Sequence, residues 1–185
     1  MALKSTIFRA NLQVSDMDRN HYGSHSLTLA RHPSETDERM MVRLLAFALN
    51  ASDALSFGKG LSADDEPDLW QKDLTGSIEL WVDVGLPDEK LIRKACGRAA
   101  KVIVYAYGGR SAGIWWNQSS SRLEKAANLT VMNIAQESTR ALADLAQRSM
   151  QLQCIIQDGT VLFSGGDETV PVMLEQFKAQ GRQEP

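Results

Sequence analysis

The chain has 185 residues, 43% of them hydrophobic, with 20 basic and 23 acidic side chains and a formal net charge of −3. That is length for one domain with a packed core and too little for two comfortable ones, and the near balance of charge speaks against a protein coated in nucleic acid while leaving room for a local basic face. Two cysteines, Cys96 and Cys154, speak against a disulfide framework or a thiolate metal site, and with no leader-like apolar run and nothing of spanning length the expectation is a soluble, reduced, cytoplasmic protein with no membrane partner.

Phe8, Ala10, Leu12 and Val14 alternate with Arg9, Asn11 and Gln13, the period of a half-buried strand. Asp18 to His21 turns it and Ser26 to Ala30 returns, a hairpin expected at the edge of the sheet. His32-Pro33-Ser34-Glu35-Thr36-Asp37 opens a helix running to about Asn50, with Ser34 as N-cap and acids in the first turn. Its apolar stripe is Met41, Leu44, Leu45, Ala48 and Leu49, and Glu38 projects inside that stripe, where a carboxyl needs a partner. Arg39 and Arg43 lie elsewhere on the helix and could meet phosphate.

Ala54 to Leu61 reads as a short strand or loop, and Ser62 to Glu66 as an acidic connector whose carboxylates are solvated. It feeds a loop holding Pro67 and Asp68. Ile78-Glu79-Leu80-Trp81-Val82-Asp83-Val84 is a strand by strict alternation: the aliphatic residues share one face, and Glu79, Trp81 and Asp83 the other. Asp83 is expected to cap or to pair with Arg93 or Arg98. Gly85 to Asp88 opens a helix to about Ala99, with Leu91, Ile92, Ala95 and Ala99 inward and Lys94 and Arg98 on the flank, able to lean back over the strand. Lys101 begins Val102 to Tyr107, a parallel strand reached by a right-handed crossover.

After Gly108-Gly109 a helix is predicted from Ser111 to near Ala127, then a strand Leu129 to Ile134, a helix Gln136 to Arg148 and a hairpin around Asp158-Gly159. Val170 to Phe177 is ambiguous, with Pro171 favouring an edge strand, and disorder is expected after Ala179. His21, His25 and His32 have neither helical spacing nor a thiol neighbour, which speaks against zinc. His32, before Pro33, reads as a structural cap.

A loop carboxylate, a strand carboxylate and a nearby lysine are the parts of a metal-dependent phosphodiester hydrolysis site: hard oxygens hold Mg²⁺ and an ammonium stabilises developing charge. Pro67, Asp68 and Glu79 resemble the PD-(D/E)xK nuclease motif, with Asp68 and Glu79 as metal ligands and Mn²⁺ as a substitute for Mg²⁺. Where that motif places lysine the chain has Trp81. Either a lysine has migrated, Lys94 first and Lys101 second, or the site no longer catalyses.

Leu27 to Thr36, Glu79 to Glu89 and Ile114-Trp115-Trp116 together look like the YaeQ family, a small bacterial group with a variant PD-(D/E)xK nuclease fold. The likeness covers nearly the whole chain. It implies an α/β fold with a mixed central sheet flanked by helices, a restriction-endonuclease-like core and the N-terminal β-hairpin. It implies that Glu38 is the first-helix acid, Asp68 the loop aspartate, Glu79 the strand carboxylate and Lys94 the displaced lysine. Two functions fit: Mg²⁺-dependent hydrolysis of nucleic acid, or a non-catalytic module of the same fold binding nucleic acid or a transcription-linked protein partner. Fold transfers between relatives more readily than activity does.

Overall fold

The computed structural model describes residues 4–59 and 65–181. Its strands are β1 (Thr6–Asp16), β2 (His21–Arg31), β3 (Leu55–Phe57), β4 (Leu69–Lys72), β5 (Ile78–Val84), β6 (Ala99–Ala106), β7 (Leu129–Ile134), β8 (Ser149–Gln157), β9 (Thr160–Gly165), β10 (Glu168–Val172) and β11 (Leu174–Lys178). The four helices among the described residues are α1 (Asp37–Leu49), α2 (Glu89–Cys96), α3 (Arg110–Leu123) and α4 (Gln136–Asp144).

The strands form two mixed sheets. One runs β10-β9-β8-β1-β2, with β1 and β8 parallel; the other runs β11-β7-β6-β5-β4-β3, with β5, β6 and β7 parallel. This corrects the expectation of one central sheet with a hairpin at its edge. The β1–β2 hairpin forms as expected, but β1 takes β8 as its second neighbour and so belongs to a sheet of its own.

A single core joins the inner face of the five-stranded sheet, helix α1, part of α4 and one face of the six-stranded sheet. The other face of the six-stranded sheet is closed by α2 and α3 over a second core containing Trp81, Ile92, Val102, Val104 and Leu123. Helix α1, lying between two sheets, is buried on every side from Met40 to Ala48, Arg43 included, rather than along one stripe. Its N-cap is Thr36, whose hydroxyl accepts the Arg39 N–H at 3.1 Å, rather than Ser34, which instead bonds His32 Nδ1.

Local chemistry sets the remaining boundaries. Asp88 caps α2 through the Lys90 N–H, and α2 stops at Cys96, so that Ala99 begins β6 rather than ending the helix. The β8–β9 turn places Asp158 and Gly159 at φ 51° and 75°, the left-handed pair a two-residue hairpin requires. Strand β10 with Pro171 lies at a sheet edge, as its proline demands. Residues 180 and 181 are ordered against the expectation of disorder after Ala179, the Gly181 N–H donating to Ala127 O at 2.9 Å; residues 182–185 lie outside the described part, as do positions 60–64, which include the first part of the acidic connector.

Candidate functional site

The parallel strands β5 and β6 point their C-terminal ends at the first turn of α1, and an open pocket of about 420 Å³ lies there, lined among others by Arg39, Asp68, Asp83, Gly85 and Tyr107. Ligands of open α/β sheets bind outside the carboxyl ends of such strands. A larger concavity of about 620 Å³ lies on the outer face of the five-stranded sheet, but its lining is amides, hydroxyls and glycines with two leucines, one histidine and no carboxylate, lysine or arginine.

Asp68 sits just before β4 and is 5% exposed. One oxygen accepts from Arg39 at 2.8 Å and the other from the Val84 N–H at 2.8 Å. Arg39 also reaches Glu35 at 3.0 Å, and Glu35 is held from its other side by Arg43 through two bonds of 2.8 Å. Burial works against the Arg39 charge, but Asp68 and Glu35 more than offset it and raise its pKa. The result is an alternating chain of Arg43, Glu35, Arg39 and Asp68 running from the core to the pocket.

Asp83, on β5, accepts the Trp81 indole N–H at 2.9 Å and the Asp68 backbone N–H. Each aspartate is thus steadied by a backbone N–H of the other's segment, and both line the pocket. Burial above all raises the Asp83 carboxyl from 3.8 to about 6, the negative charge of Asp68 adding to it while the two N–H donors and Arg39 oppose. Tyr107, one residue beyond β6, is pushed up to about 12, by burial first, with Arg39 opposing and Glu38, Glu35 and Asp68 adding. It faces the pocket as a neutral hydroxyl donor.

The four residues expected at the site do not converge. Asp68 is in the pocket. Glu38 is close enough for its charge to act on Tyr107, but its carboxylate accepts from Thr139 of α4 at 2.6 Å. Glu79 is exposed toward the start of β5 and accepts from Gln71 at 2.7 Å. Lys94 is tied to Asp65 at 2.6 Å, on the outer side of Glu66 and one turn of α2 from Leu91, both of which line the pocket. Trp81 is 5% exposed and packed in the second core, with Arg98 over its ring at 5.1 Å, so it is neither a lid over the acids nor a stacking surface. Asp83 bonds to Trp81 and Asp68, rather than to Arg93 or Arg98.

Sequence reasoning passed over Glu35, which it took for a first-turn acid, and Asp83. The available signal for Asp83 was its position as the last acid before the Gly85 break, at the C-terminal end of a strand followed by a crossover helix.

The model for YaeQ protein matches residues 1–174. This chain belongs to the YaeQ family. A YaeQ protein of Escherichia coli (strain K12), described as uncharacterized, is 47% identical over 178 residues, covering 96% of this chain and 98% of that one. The YaeQ of Salmonella typhi is 46% identical over the same shares. The crystal structure of YaeQ from Xanthomonas axonopodis pv. citri superposes with a TM-score of 0.91 at 50% identity, over 95% of this chain and 99% of that chain. The YaeQ structure from Pseudomonas syringae gives the same TM-score at 34% identity, over 95% and 97%. The two-sheet architecture is therefore shared within the YaeQ family. Among the described residues no helix is long and apolar enough to cross a membrane.

Proposed function

We propose that this YaeQ-family protein carries a variant PD-(D/E)xK site that hydrolyses phosphodiester bonds of nucleic acid, with Asp68 and Asp83 as its paired carboxylates and Arg39 in place of the missing lysine. The reading draws on the order of elements, in which an acid before β4 is followed by acids on β5 and a crossover through α2 to β6. One observation carries it: two neighbouring carboxyls, one of them raised to about 6, line an open pocket beside a guanidinium and a phenol. Mutually perturbed acids in a cleft are a common mark of a functional site.

The donor set fits Mg²⁺, which takes one or two carboxylates and completes its shell with water and substrate phosphate. Among the described residues no three His, Cys, Asp or Glu side chains gather as an all-protein cage. Asp68 and Asp83 would hold the ion, which when bound would supply Lewis-acid stabilisation of the phosphoryl oxygens. Arg39 would orient the phosphate through the donors it does not spend on Asp68 and Glu35. Tyr107 would donate to a non-bridging or leaving oxygen, and Asp83, near half-protonated at pH 6, could hold or release a proton there.

The test is incubation of the full chain with single- and double-stranded DNA and RNA in Mg²⁺ or Mn²⁺. Cleavage by the wild type, lost in Asp68→Asn and Asp83→Asn and kept in Glu79→Ala, is the expected result. Undiminished cleavage by Asp83→Asn would remove the site. A second reading, the non-catalytic module that binds nucleic acid or a transcription-linked protein, is favoured by the fact that both Asp68 oxygens are already engaged. It predicts nucleic-acid or protein binding that persists in chelator and no cleavage under any metal.

A further inference from the structure

Two of the large apolar side chains that the fold leaves exposed, Leu86 at 38% and Leu91 at 43%, line the same pocket as the aspartate pair. The second core does not need them, because Ile92 and Ala95 are the residues that α2 turns into it. Exposed apolar side chains rimmed by polar groups are a mark of a binding groove.

These leucines do not sit on a loose loop. The Gly85 N–H donates to Tyr105 O at 2.9 Å, Pro87 O accepts the Trp115 indole N–H at 2.8 Å, and the Asp88 carboxylate caps α2 through the Lys90 N–H at 2.8 Å. The connection from β5 to α2 is pinned at three points, so Leu86, Pro87 and Leu91 are presented already ordered, and little freedom is left to lose when something packs on them.

Helix α1 packs on one face of the six-stranded sheet and α2 on the other. Arg39, with Tyr107 packed against the same core as α1, therefore reaches the pocket from one side of the strand ends, and the leucines and proline reach it from the other. The first side offers N–H and O–H donors to an anion; the second offers an apolar wall without a hydrogen-bonding side chain. Glu66, the remaining acid of the lining, is engaged by Lys59. A pocket of about 420 Å³ is the size of a small-molecule site, so its ligand must join the same two halves in one small unit. A nucleotide does so: it has a phosphate, and a base whose flat faces pack on apolar side chains, leucine and proline among them. In a duplex both faces of each base are covered by stacked neighbours, and a base meets such a wall only when it has left the stack.

We propose that the pocket takes one unstacked nucleotide at a time, its phosphate beside Arg39 and Tyr107 and its base on Leu86, Pro87 and Leu91, so that the substrate is a single strand rather than a closed duplex. This specificity rests on the nucleolytic reading of the pocket, to which it adds the strandedness of the substrate.

The experiment is fluorescence anisotropy of the full chain in Mg²⁺ with a short labelled DNA strand, with the same strand made abasic at every position and with its blunt duplex, cleavage of each being followed on gels. The intact single strand is expected to bind at least about tenfold more tightly than either of the others, the scale of one packed base. Leu86→Ser combined with Leu91→Ser should erase that preference while leaving the affinity for the abasic strand as in the wild type, a pattern that loss of folding does not produce. Ile7→Ser, at a comparably exposed apolar residue on the other sheet, should change nothing. Should the double variant fail to fold by circular dichroism, the intact and abasic strands on the wild type decide alone. Equal affinity of the wild type for the intact strand and for either of the others, or a preference that survives in the double variant, would overturn this specificity, and cleavage of the strands would then leave the nucleolytic reading standing. No binding and no cleavage of any strand would overturn both.

Discussion

Strand β5 carries two acids, Glu79 near its start beside a register shift and Asp83 near its end, and the fold sends them into different chemistry. Glu79 stands in water with one amide partner, and the side chains of Lys94 and Asp65, similarly exposed, hold only each other. Asp83 lies buried against Asp68 and Trp81, where losing a proton is costly. Sequence spacing alone ranks them equally, or prefers Glu79. What separates them is dielectric: exposed charges interact weakly and are screened, whereas half-buried charges must be answered by specific donors. The same contrast divides the basic residues, with Lys94 on a solvated ion pair and Arg39 and Arg43 committed to Glu35 and Asp68.

The sharpest way to break this contrast is to remove the acid that two guanidiniums share. Glu35→Ala leaves Arg43, only 2% exposed, without its counter-ion, and should cost about 3–5 kcal/mol in urea unfolding. A loss no larger than that of an ordinary surface change would mean that the buried network contributes little.

Asp83→Asn should act in the opposite direction. With a folded pKa of about 6 above the ordinary 3.8, Asp83 binds more protons in the folded than in the unfolded chain between those pH values. Wild-type stability therefore falls as pH rises from about 4 through about 6, and the accumulated penalty is at most about 3 kcal/mol at pH 7.5. The asparagine variant, which cannot titrate, should be more stable than the wild type at pH 7.5 by up to that amount, and the gain should vanish near pH 4. Thermal melts of both proteins across that range check the sign, and a pH-independent difference would contradict it.

Between the two extremes sits Glu38, half-buried and bonded to Thr139. Thr139→Val removes the donor while keeping the shape, and a loss of about 1–3 kcal/mol is expected because the hydrogen bond is to a charged group. At the small end, Glu79→Ala and Lys94→Ala should leave the urea midpoint unchanged at moderate salt. In any cleavage assay they should behave as the wild type does while Asp68→Asn does not. Loss of cleavage in either would return the chemistry to the exposed region.

Much of the fold was legible in the chain. The alternation at Phe8 to Val14 gave a strand because period-two burial leaves its mark residue by residue, and the Asp158-Gly159 turn and the Asp88 cap are local chemistry. Ile78 to Val84 is a strand as expected, but a register shift at Glu79 sends Ile78 to the second core and Leu80, Val82 and Val84 to the first, so its aliphatic residues do not share one face. The short strand β4 went unread, since Leu69 to Lys72 holds too few residues for a period to appear. The end of α2 was read late because Ala99 suits helix and strand alike, and Leu91, read as inward, is 43% exposed. At the site, Asp68 was legible through its motif. Its partners were not, because Arg39 comes from 29 residues away and Val84 from 16.

Composition, periodicity and caps by themselves determined that this chain makes a mixed α/β protein, where most of its elements begin, and that its acids include one before β4. Only the tertiary structure decided that the strands divide into two sheets enclosing α1, that Arg39 and Asp83 rather than Lys94 and Glu79 meet Asp68, and that Leu86 and Leu91 stand exposed at the same pocket. Local patterns report each residue's preference for water and for a backbone shape. Which charges lie against one another out of water depends on contacts between distant segments, and at those contacts the energy of an ion is set by its partners rather than by its neighbours in sequence.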